Sequence, residues 1–586
     1  MAIGGAVAFA CWQGISSAWA DEPNAALTAM NRSLLYAAAF SLVVIILRRA
    51  RSLRMLSIGA LAVIAVVGGW AVGSRVIPSV VPGDHGARLA TGFSYWNALG
   101  ILLTFGLVLA IGLAAHRALP RWGAAAAGAC VPLLVVGIVL TSSRGAVVGC
   151  LVGAIVLIAA APHRIETICA VISTGLITTP VVIWVITKTS LAPISGIPQQ
   201  NHRSGFSAAA LLVITMALAG AAAWGLATFA ARLVLRPAAR YRIGWGIAGV
   251  SAVFAVILAG ANWPAGGPVA FLGRQFDAFR ALNIGERTQS GNALSALATT
   301  AGTGRWQNWT VAVHEAGAAP LQGTGTGDYQ FWWDQTRPIG LVVQNAHSLY
   351  LETLGESGLI GLALLLVPIA TAAIVGGRFL VRTRGRSMMV SRDIAVALAA
   401  CSALLVHAGI DWDWQFPTVM LPGVVLTAGI VAVASGSAAR AKPATRTARS
   451  AVAVASALAL LMALPIIVSA RTLEGAFGLA ARGEMASAAA DARKAAAENP
   501  QDPAPWLLLA NVEDDQRQFT AANASYAAAL VRSPRSNIIL ADWTHSLLRQ
   551  GDTAGARQTL EAARIRNPLD PRIAVLASEL EQQAAG

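Results

Sequence analysis

The sequence predicts an all-α protein: a polytopic transmembrane bundle of about 13 helices, a large external loop and a C-terminal helical repeat domain. Three observations predict this class. Apolar residues make up 56% of the 586 residues and charged residues only 12%, whereas soluble domains carry about 25% charged residues. Apolar runs of roughly 17 to 25 residues, long enough to cross a hydrocarbon core as helices, recur as far as Ala470. Beyond that point, three prolines recur at intervals of 34 residues.

The first apolar run has two interpretations. Residues 1–20 end in Ala18-Trp19-Ala20 before Asp21, which resembles a signal-peptidase site, but no basic segment precedes the run. We therefore expect a first membrane helix within residues 1–33, and cleavage after Ala20 would leave the remaining topology unchanged. The predicted spans lie near residues 1–20, 34–47, 56–74, 97–115, 124–142, 146–162, 167–187, 207–231, 244–262, 357–377, 393–410, 418–436 and 450–469.

These spans divide the chain into domains. Membrane helices occupy residues 34–262 and 349–469, a large loop occupies 263–348, and the repeat domain occupies 470–586. Lys and Arg gather in alternate connections between the spans, and cytoplasmic loops retain positive charge. The loop 263–348 and the repeat domain are therefore predicted to be external to the membrane. The basic clusters are Arg48, Arg49, Arg51 and Arg54; Arg117 and Arg121; Arg164; Arg232, Arg236, Arg240 and Arg242; Arg378, Arg382, Arg384, Arg386 and Arg392; and Arg440, Lys442, Arg446 and Arg449.

The net charge of +15 has the same explanation, because basic clusters between apolar spans set membrane orientation. We do not expect a nucleic acid as a partner.

The C-terminal segment has a 34-residue period. Asn499-Pro500, Ser533-Pro534 and Asn567-Pro568 share one phase of it. The period is that of tetratricopeptide repeats, and roughly two and a half repeats fit here. Because repeat surfaces commonly bind partners, we expect a docking surface for a protein or a glycan; a solubilising cap with no partner is the alternative. A second shared phase holds Gly483, Arg517 and Gly551.

Polar residues at the external ends of spans are the candidate functional residues, since a charge at membrane depth is costly and often marks a functional cavity. Arg88 and Asn97 flank the mouth of the fourth span. Arg144 lies in a very short turn between the fifth and sixth spans, and Arg305 opens a predicted helix in the large loop.

The most informative stretch runs from 346 to 361, where the large loop becomes the tenth span. His347 has an ordinary pKa near 6.5 and can take a proton at neutral pH, although a histidine at an interface is often structural. Glu352 and Glu356 could orient this histidine or line a cavity, or could simply stabilise the start of the tenth helix through its dipole. Asp411 and Asp413 add two carboxylates, but with no His or Cys beside them a metal site is poorly supported.

Three segments together resemble the O-antigen ligase and polymerase superfamily of bacterial membrane glycosyltransferases: residues 140–146, 305–327 and 347–361. The large loop before the tenth span and the number of spans are similar too, over roughly residues 34–436. The resemblance implies a glycosyltransferase C-like membrane fold. Many members carry Asn directly after the histidine, where this chain has Ser348.

The resemblance implies transfer of a glycan from a polyprenyl-diphosphate carrier to a glycan or lipid acceptor hydroxyl at the external face. No metal or nucleotide cofactor is expected, because the activated bond lies in the lipid-linked donor. Guanidinium groups bind phosphate oxygens bidentately, and the candidates for diphosphate binding are Arg144, Arg305 and Arg88. A neutral histidine can relieve the attacking hydroxyl of its proton, so His347 is the candidate general base. The supporting candidates are Glu352, Glu356, Asn97 and Asp411.

Three other functions remain open. A polymerase of the same superfamily would join one lipid-linked repeat unit to another, and product length would separate it from a ligase. A transporter would be expected to show inverted repeats, and the collection of polar residues at one face favours an enzyme. A scaffold whose repeats recruit envelope enzymes, with an inert membrane part, would leave the arginines and His347 without a purpose.

Overall fold

The structure is a computed structural model of the chain. It describes residues 1–47, 51–83, 86–162, 164–188, 191, 202–232, 267–281, 302–383, 388–435 and 446–585, together with Arg242, Gly246 and Gly249. Within these residues the regular secondary structure is helical and no strand occurs. The all-α class predicted from the sequence is confirmed.

The helices are numbered here in chain order. The first eight are α1 (Ala2–Ser16), α2 (Pro23–Ile46), α3 (Arg51–Val76), α4 (Trp96–Ala114), α5 (Arg121–Thr141), α6 (Arg144–Ala160), α7 (Arg164–Ile186) and α8 (His202–Arg232). The next seven are α9 (Gly267–Arg280), α10 (Arg305–Ala318), α11 (Tyr329–Thr336), α12 (Leu349–Arg382), α13 (Met388–Ala408), α14 (Pro417–Ala434) and α15 (Arg446–Ala481). The last six are α16 (Met485–Glu498), α17 (Pro503–Asp515), α18 (Phe519–Arg532), α19 (Asn537–Gln550), α20 (Thr553–Arg566) and α21 (Pro571–Ala585).

Ten of the described helices are long and apolar enough to cross a membrane, so the chain is a multi-pass membrane protein. Helices α1 and α6 coincide with predicted spans but have only 15 and 17 residues. The last candidate span is Leu464–Ala481, whereas the sequence predicts 450–469; the long helix α15 runs through both. Apart from Gly246 and Gly249, the predicted span 244–262 lies outside the described residues. The same holds for Arg48, Arg49, Arg236, Arg240, Arg384, Arg386, Arg440 and Lys442.

The chain folds as two compact units. The repeat-bearing unit comprises Met1–Ala38, Gln307–Pro368 and Thr447–Gly586. The bundle unit comprises Ala39–Trp306 and Ile369–Arg446.

Helix α4 is the central helix of the bundle unit. Of the residues in its most apolar stretch, 94% are buried. Helices α3, α5, α6 and α13 pack around it. Its sequence is apolar on every side, which is the pattern of a helix surrounded by other helices. The polar residues Tyr95 and Asn97 lie at its N-terminal end, so the bundle presents them at one end of its core.

In the repeat-bearing unit, α15 packs against the helix that follows it. Ser469 on α15 donates its hydroxyl to the carbonyl of Ala495 on α16 at 2.9 Å. Helices α16 to α21 follow one another through short turns, and each packs against the next. Gly483, Arg517 and Gly551, which share one phase of the 34-residue period, all have positive φ.

Candidate functional site

Asp411 is the centre of a polar cluster in the bundle unit. Its Oδ2 accepts Nη2 of Arg305 at 2.6 Å and the Asn97 amide at 2.7 Å. Its Oδ1 accepts the Tyr95 hydroxyl at 2.5 Å. Arg305 also donates from Nε to the carbonyl of Ile410 at 2.7 Å. The structure therefore brings three predicted site residues, Arg305, Asn97 and Asp411, into direct contact.

The Arg305 guanidinium is held rigidly yet remains accessible. Its side chain is 20% exposed, whereas that of Asp411 is 2% exposed. Burial disfavours the charge on Arg305, but the adjacent Asp411 carboxylate offsets this, and the pKa of Arg305 is raised above its usual value. The group stays cationic and fixed in orientation, as an anion-binding group needs to be.

Tyr95 is a member of this cluster that sequence reasoning does not single out. Burial and the neighbouring Asp411 carboxylate raise the pKa of Tyr95 well above its usual value, so its phenol stays protonated and donates. Its ring lies 4.8 Å from that of Trp412 and stacks with that of Phe416 at 6.3 Å. The signal in the sequence is the polar run directly before the apolar helix α4.

Arg88 fixes the turn that carries Arg144. It donates from Nε to the carbonyl of Thr141 at 2.9 Å and from Nη2 to that of Ser142 at 2.5 Å. Ser142 has a left-handed backbone, with φ of 50°, and Ser143 caps α6 by accepting the Ala146 N–H at 3.3 Å. Arg144 is thus the first residue of α6, on a turn held from the side by Arg88.

His347 lies in the repeat-bearing unit, at a strained position. Its φ is +55°, a conformation that non-glycine residues adopt at a cost and that clusters at functional sites. Nδ1 lies 2.9 Å from the carbonyl of Asn345 and 3.3 Å from the Asn308 amide. A carbonyl accepts only, so Nδ1 carries the proton and Nε2 keeps a lone pair. The contact with the Asn345 carbonyl, the shorter of the two, assigns this tautomer, and the Asn308 amide nitrogen lies beside the same Nδ1.

The start of α12 explains Ser348 and Glu352. The Ser348 hydroxyl accepts the Leu351 N–H at 3.4 Å, which is the capping contact of a helix start. Glu352 reaches back to accept the Ala346 N–H at 2.8 Å. Both contacts flank His347, so the residues that begin the helix also fix the backbone on either side of the histidine.

Glu356 and the glycine-rich turn 323–327 form a second contact region on α12. Glu356 accepts the Tyr329 N–H at 3.3 Å. Gly358 has a positive φ of 66°, and a Cβ there would lie 2.2 Å from the Leu321 carbonyl oxygen. Only glycine fits this approach, so the turn packs directly on the α12 backbone.

Buried carboxyls hold the segments around this turn. Asp328 is fully buried and accepts the backbone N–H groups of Asp21 and Glu22 at 2.8 and 3.3 Å. Burial, with neighbouring carboxyls, raises the pKa of Asp328 to about 8. Burial likewise raises the pKa of Glu22 to about 7. Glu315 accepts the Thr324 hydroxyl at 2.7 Å, and burial raises its pKa well above the usual range.

Each Asn-Pro or Ser-Pro pair of the 34-residue period lies at a corner between two helices. All three corners contact other parts of the repeat-bearing unit. Asn499 donates to Asn24 at 2.8 Å, and Ser533 donates to Glu22 at 3.3 Å. At the third corner, Arg337 donates to Asn567 at 2.8 Å. One edge of the repeats is therefore attached to the start of α2 and to the segment after α11.

The predicted site residues thus divide between the units. The bundle unit contains Arg88, Asn97, Arg144, Arg305 and Asp411, and the repeat-bearing unit contains His347, Glu352 and Glu356. Among the described residues, no group of three or more His, Cys, Asp or Glu side chains has an arrangement that could hold a metal ion.

A family model described as O-Antigen ligase matches residues 204–366. The matched range contains Arg305, His347, Glu352 and Glu356. It leaves out Arg88, Arg144, Asn97 and Asp411. No curated protein matches the chain significantly. The match supports the O-antigen ligase superfamily and, with it, a glycosyl-transfer role in the membrane of the ligase or polymerase type.

Proposed function

We propose that the protein transfers a glycan from a polyprenyl-diphosphate carrier to an acceptor hydroxyl at the external face of a bacterial cell membrane. The observation that carries this proposal is Arg305, inside the matched range, held by Asp411 with its guanidinium still partly exposed. A departing diphosphate accumulates negative charge, and a preoriented guanidinium stabilises that charge without reorganisation. Arg144, at the start of α6, is the second proposed phosphate-binding group.

His347 is the proposed general base. With the proton on Nδ1, Nε2 is the basic nitrogen of the ring and would accept the proton of the acceptor hydroxyl. The hydroxyl oxygen then bonds to the anomeric carbon, and the bond from that carbon to the diphosphate breaks. The lipid diphosphate leaves with the electron pair. The activated bond is in the donor, so the residues need only bind, orient and move one proton.

The remaining candidates are proposed to support these two tasks. Asp411 and Asn97 orient Arg305, and Arg88 contributes to diphosphate binding by holding the turn that carries Arg144. Glu352 supports His347 through the backbone of Ala346. Glu356 supports the turn 323–327 through Tyr329.

The C-terminal helices are proposed to be tetratricopeptide-like repeats on the external side of the membrane. Their 34-residue spacing supports the repeat assignment. Since one edge contacts the chain itself, the surface left for a protein or glycan partner would be the remainder of the array.

The test is release of lipid diphosphate by purified protein given a polyprenyl-diphosphate glycan and candidate acceptors. Wild type is expected to release it, and His347→Ala and Arg305→Ala to lose release. Matched controls are His545→Ala and Arg564→Ala, which alter exposed side chains in the repeats. Wild-type release with all four variants active would overturn the residue assignments. No release by folded protein with any donor would favour a transporter, and a product ladder on the donor carrier would identify a polymerase.

A further inference from the structure

A buried histidine and aspartate that the proposed reaction does not use lie beneath the Arg144 turn. His407, near the end of α13, and Asp413 are both 0% exposed, and Nδ1 of the histidine lies 3.1 Å from Oδ1 of the aspartate. Within the described part of the chain, Nε2 of His407 and Oδ2 of Asp413 have no hydrogen-bond partner. Burying polar atoms without partners costs free energy, so this pair calls for an explanation beyond packing.

The contact of His407 with α6 is direct. A Cβ added to Gly145 would lie 2.6 Å from Nε2 of His407 and 2.9 Å from its Cδ2. The imidazole ring therefore lies flush against the glycine that follows Arg144. No other residue at position 145 leaves room for this ring in its present place.

The ring ends a line of close contacts between α6 and α13. Gly149 and Gly153 follow Gly145 at intervals of four residues, and both approach Ala403. Small residues at this spacing let two helices pack closely in a membrane. At the end of this line nearest Arg144, the large ring of His407 takes the place of a small side chain and fills the space under the turn.

The partner of His407 links this contact to the other arginine. Asp413 lies two residues after Asp411, which binds Arg305 at 2.6 Å. The Nδ1 contact with Asp413 fixes the ring orientation and sets Nε2 against Gly145. One short segment thus contacts Arg305 through its first carboxylate and supports the Arg144 turn through its second.

We infer that His407 and Asp413 are a positioning pair that seats the Ser143–Gly145 turn and so fixes Arg144 for diphosphate binding. This inference rests on the proposed function. The pair does not touch the substrate. It fixes the position of the turn relative to α13, because the His407 ring lies against Gly145. Arg88 holds the same turn through its carbonyls, so the turn is fixed from two sides.

The experiment enlarges the side chain at position 145, shrinks the side chain at position 407, and combines the two changes. Binding of a polyprenyl diphosphate is measured for full-length protein carrying Gly145→Ala, His407→Ala or both. Loss of a hydrogen bond to a charged group weakens binding by about tenfold or more, and each single change is expected to weaken binding to that extent. In the double variant the new methyl occupies space that the ring vacates, so binding should be about fivefold or more tighter than the two single losses predict.

Gly153→Ala is the matched control. Its Cβ would lie 2.5 Å from Val108 Cγ2, a similar crowding on the same helix but eight residues from Gly145. It is expected to lower the melting temperature as Gly145→Ala does and to leave binding unchanged. Asp413→Asn, which replaces the carboxylate that orients the His407 ring, should weaken binding without a matching loss of stability.

The outcomes separate the two proposals. Additive losses in the double variant, or equal loss in Gly153→Ala, would overturn the positioning role. A wild type that binds the lipid diphosphate but releases none from a glycan donor would overturn the proposed transfer. The comparison of the single and double variants would still test the positioning role of His407 and Asp413. A wild type that does not bind the lipid diphosphate would overturn both.

Discussion

Arg305 and Asn97 share one oxygen of Asp411: Nη2 of the arginine lies 2.6 Å from Oδ2, and the asparagine amide lies 2.7 Å from the same atom. Because the Tyr95 hydroxyl donates to the other oxygen, both carboxylate oxygens are hydrogen-bonded and the carboxylate cannot rotate away from Arg305. The orientation of the arginine therefore depends on the charge of one buried aspartate.

Asp411→Asn is expected to lower lipid-diphosphate release by about tenfold to a hundredfold, since a charge-assisted bond contributes about 1.5–3 kcal/mol. The change preserves the shape of the side chain, removes its charge and replaces one accepting oxygen by an NH2 donor. Release by the purified variant is the measurement, and Asp515→Asn, whose carboxylate is 58% exposed, is the control. Unchanged release by Asp411→Asn would show that the charge of this aspartate does not orient a working group.

Ser348→Asn is expected to keep wild-type release and stability, because both side chains cap helices well. Ser348→Ala should lower stability by about 1 kcal/mol, the usual loss for a missing cap. Thermal unfolding in detergent and release assays on both variants measure this. If asparagine proved as damaging as alanine, the hydroxyl of Ser348 would have a role other than capping α12.

Arg517→Gly is expected to stabilise the repeats by about 0.5–1 kcal/mol. Arg517 has φ of 59° at the position where Gly483 and Gly551 have φ of 80° and 77°, and a left-handed backbone strains any residue with a Cβ. Denaturant unfolding monitored by the repeat tryptophans is the measurement. Arg517→Ala is the control, since it keeps the Cβ and should give no such gain.

Stability should fall as pH rises from about 4 to about 8. The pKa of Asp328 is raised to about 8 in the folded protein from 3.8. Over this interval the folded state holds a proton that the unfolded state has lost. The stabilisation is therefore complete below the unfolded pKa and is lost as pH passes through the folded one.

Asp328→Asn should flatten part of this dependence, measured as melting temperature against pH. Glu581→Gln, an exposed change in α21, should leave the slope as it is. A slope identical in wild type and Asp328→Asn would mean that Asp328 is ionised throughout.

The spans and most candidate residues could be predicted because the information is local. An apolar run of sufficient length predicts its own helix, and Arg144, Arg305 and His347 stand out as polar residues at the ends of such runs. The pairing of His407 with Asp413 could not be predicted in the same way. The histidine belongs to an apolar helix and the aspartate to the turn after it, and only the bend between α13 and α14 turns one toward the other.

The role of Gly145 depends on a different helix altogether. Within the sequence it is one small residue among many, and its significance comes from the ring of His407 on α13. Contacts of this kind are set by the packing of non-adjacent helices, which a local pattern does not specify.

The three Asn/Ser-Pro corners have a consequence for the length of the repeat array. An array that only had to stack on itself could gain or lose a repeat with little effect. Here Asn499, Ser533 and Asn567 each have a different partner: Asn24, Glu22 and Arg337. An extra 34-residue repeat inserted between α18 and α19 would stack correctly and yet move Asn567 away from Arg337. The length of the C-terminal helical segment is therefore specified by its contacts with the rest of the chain.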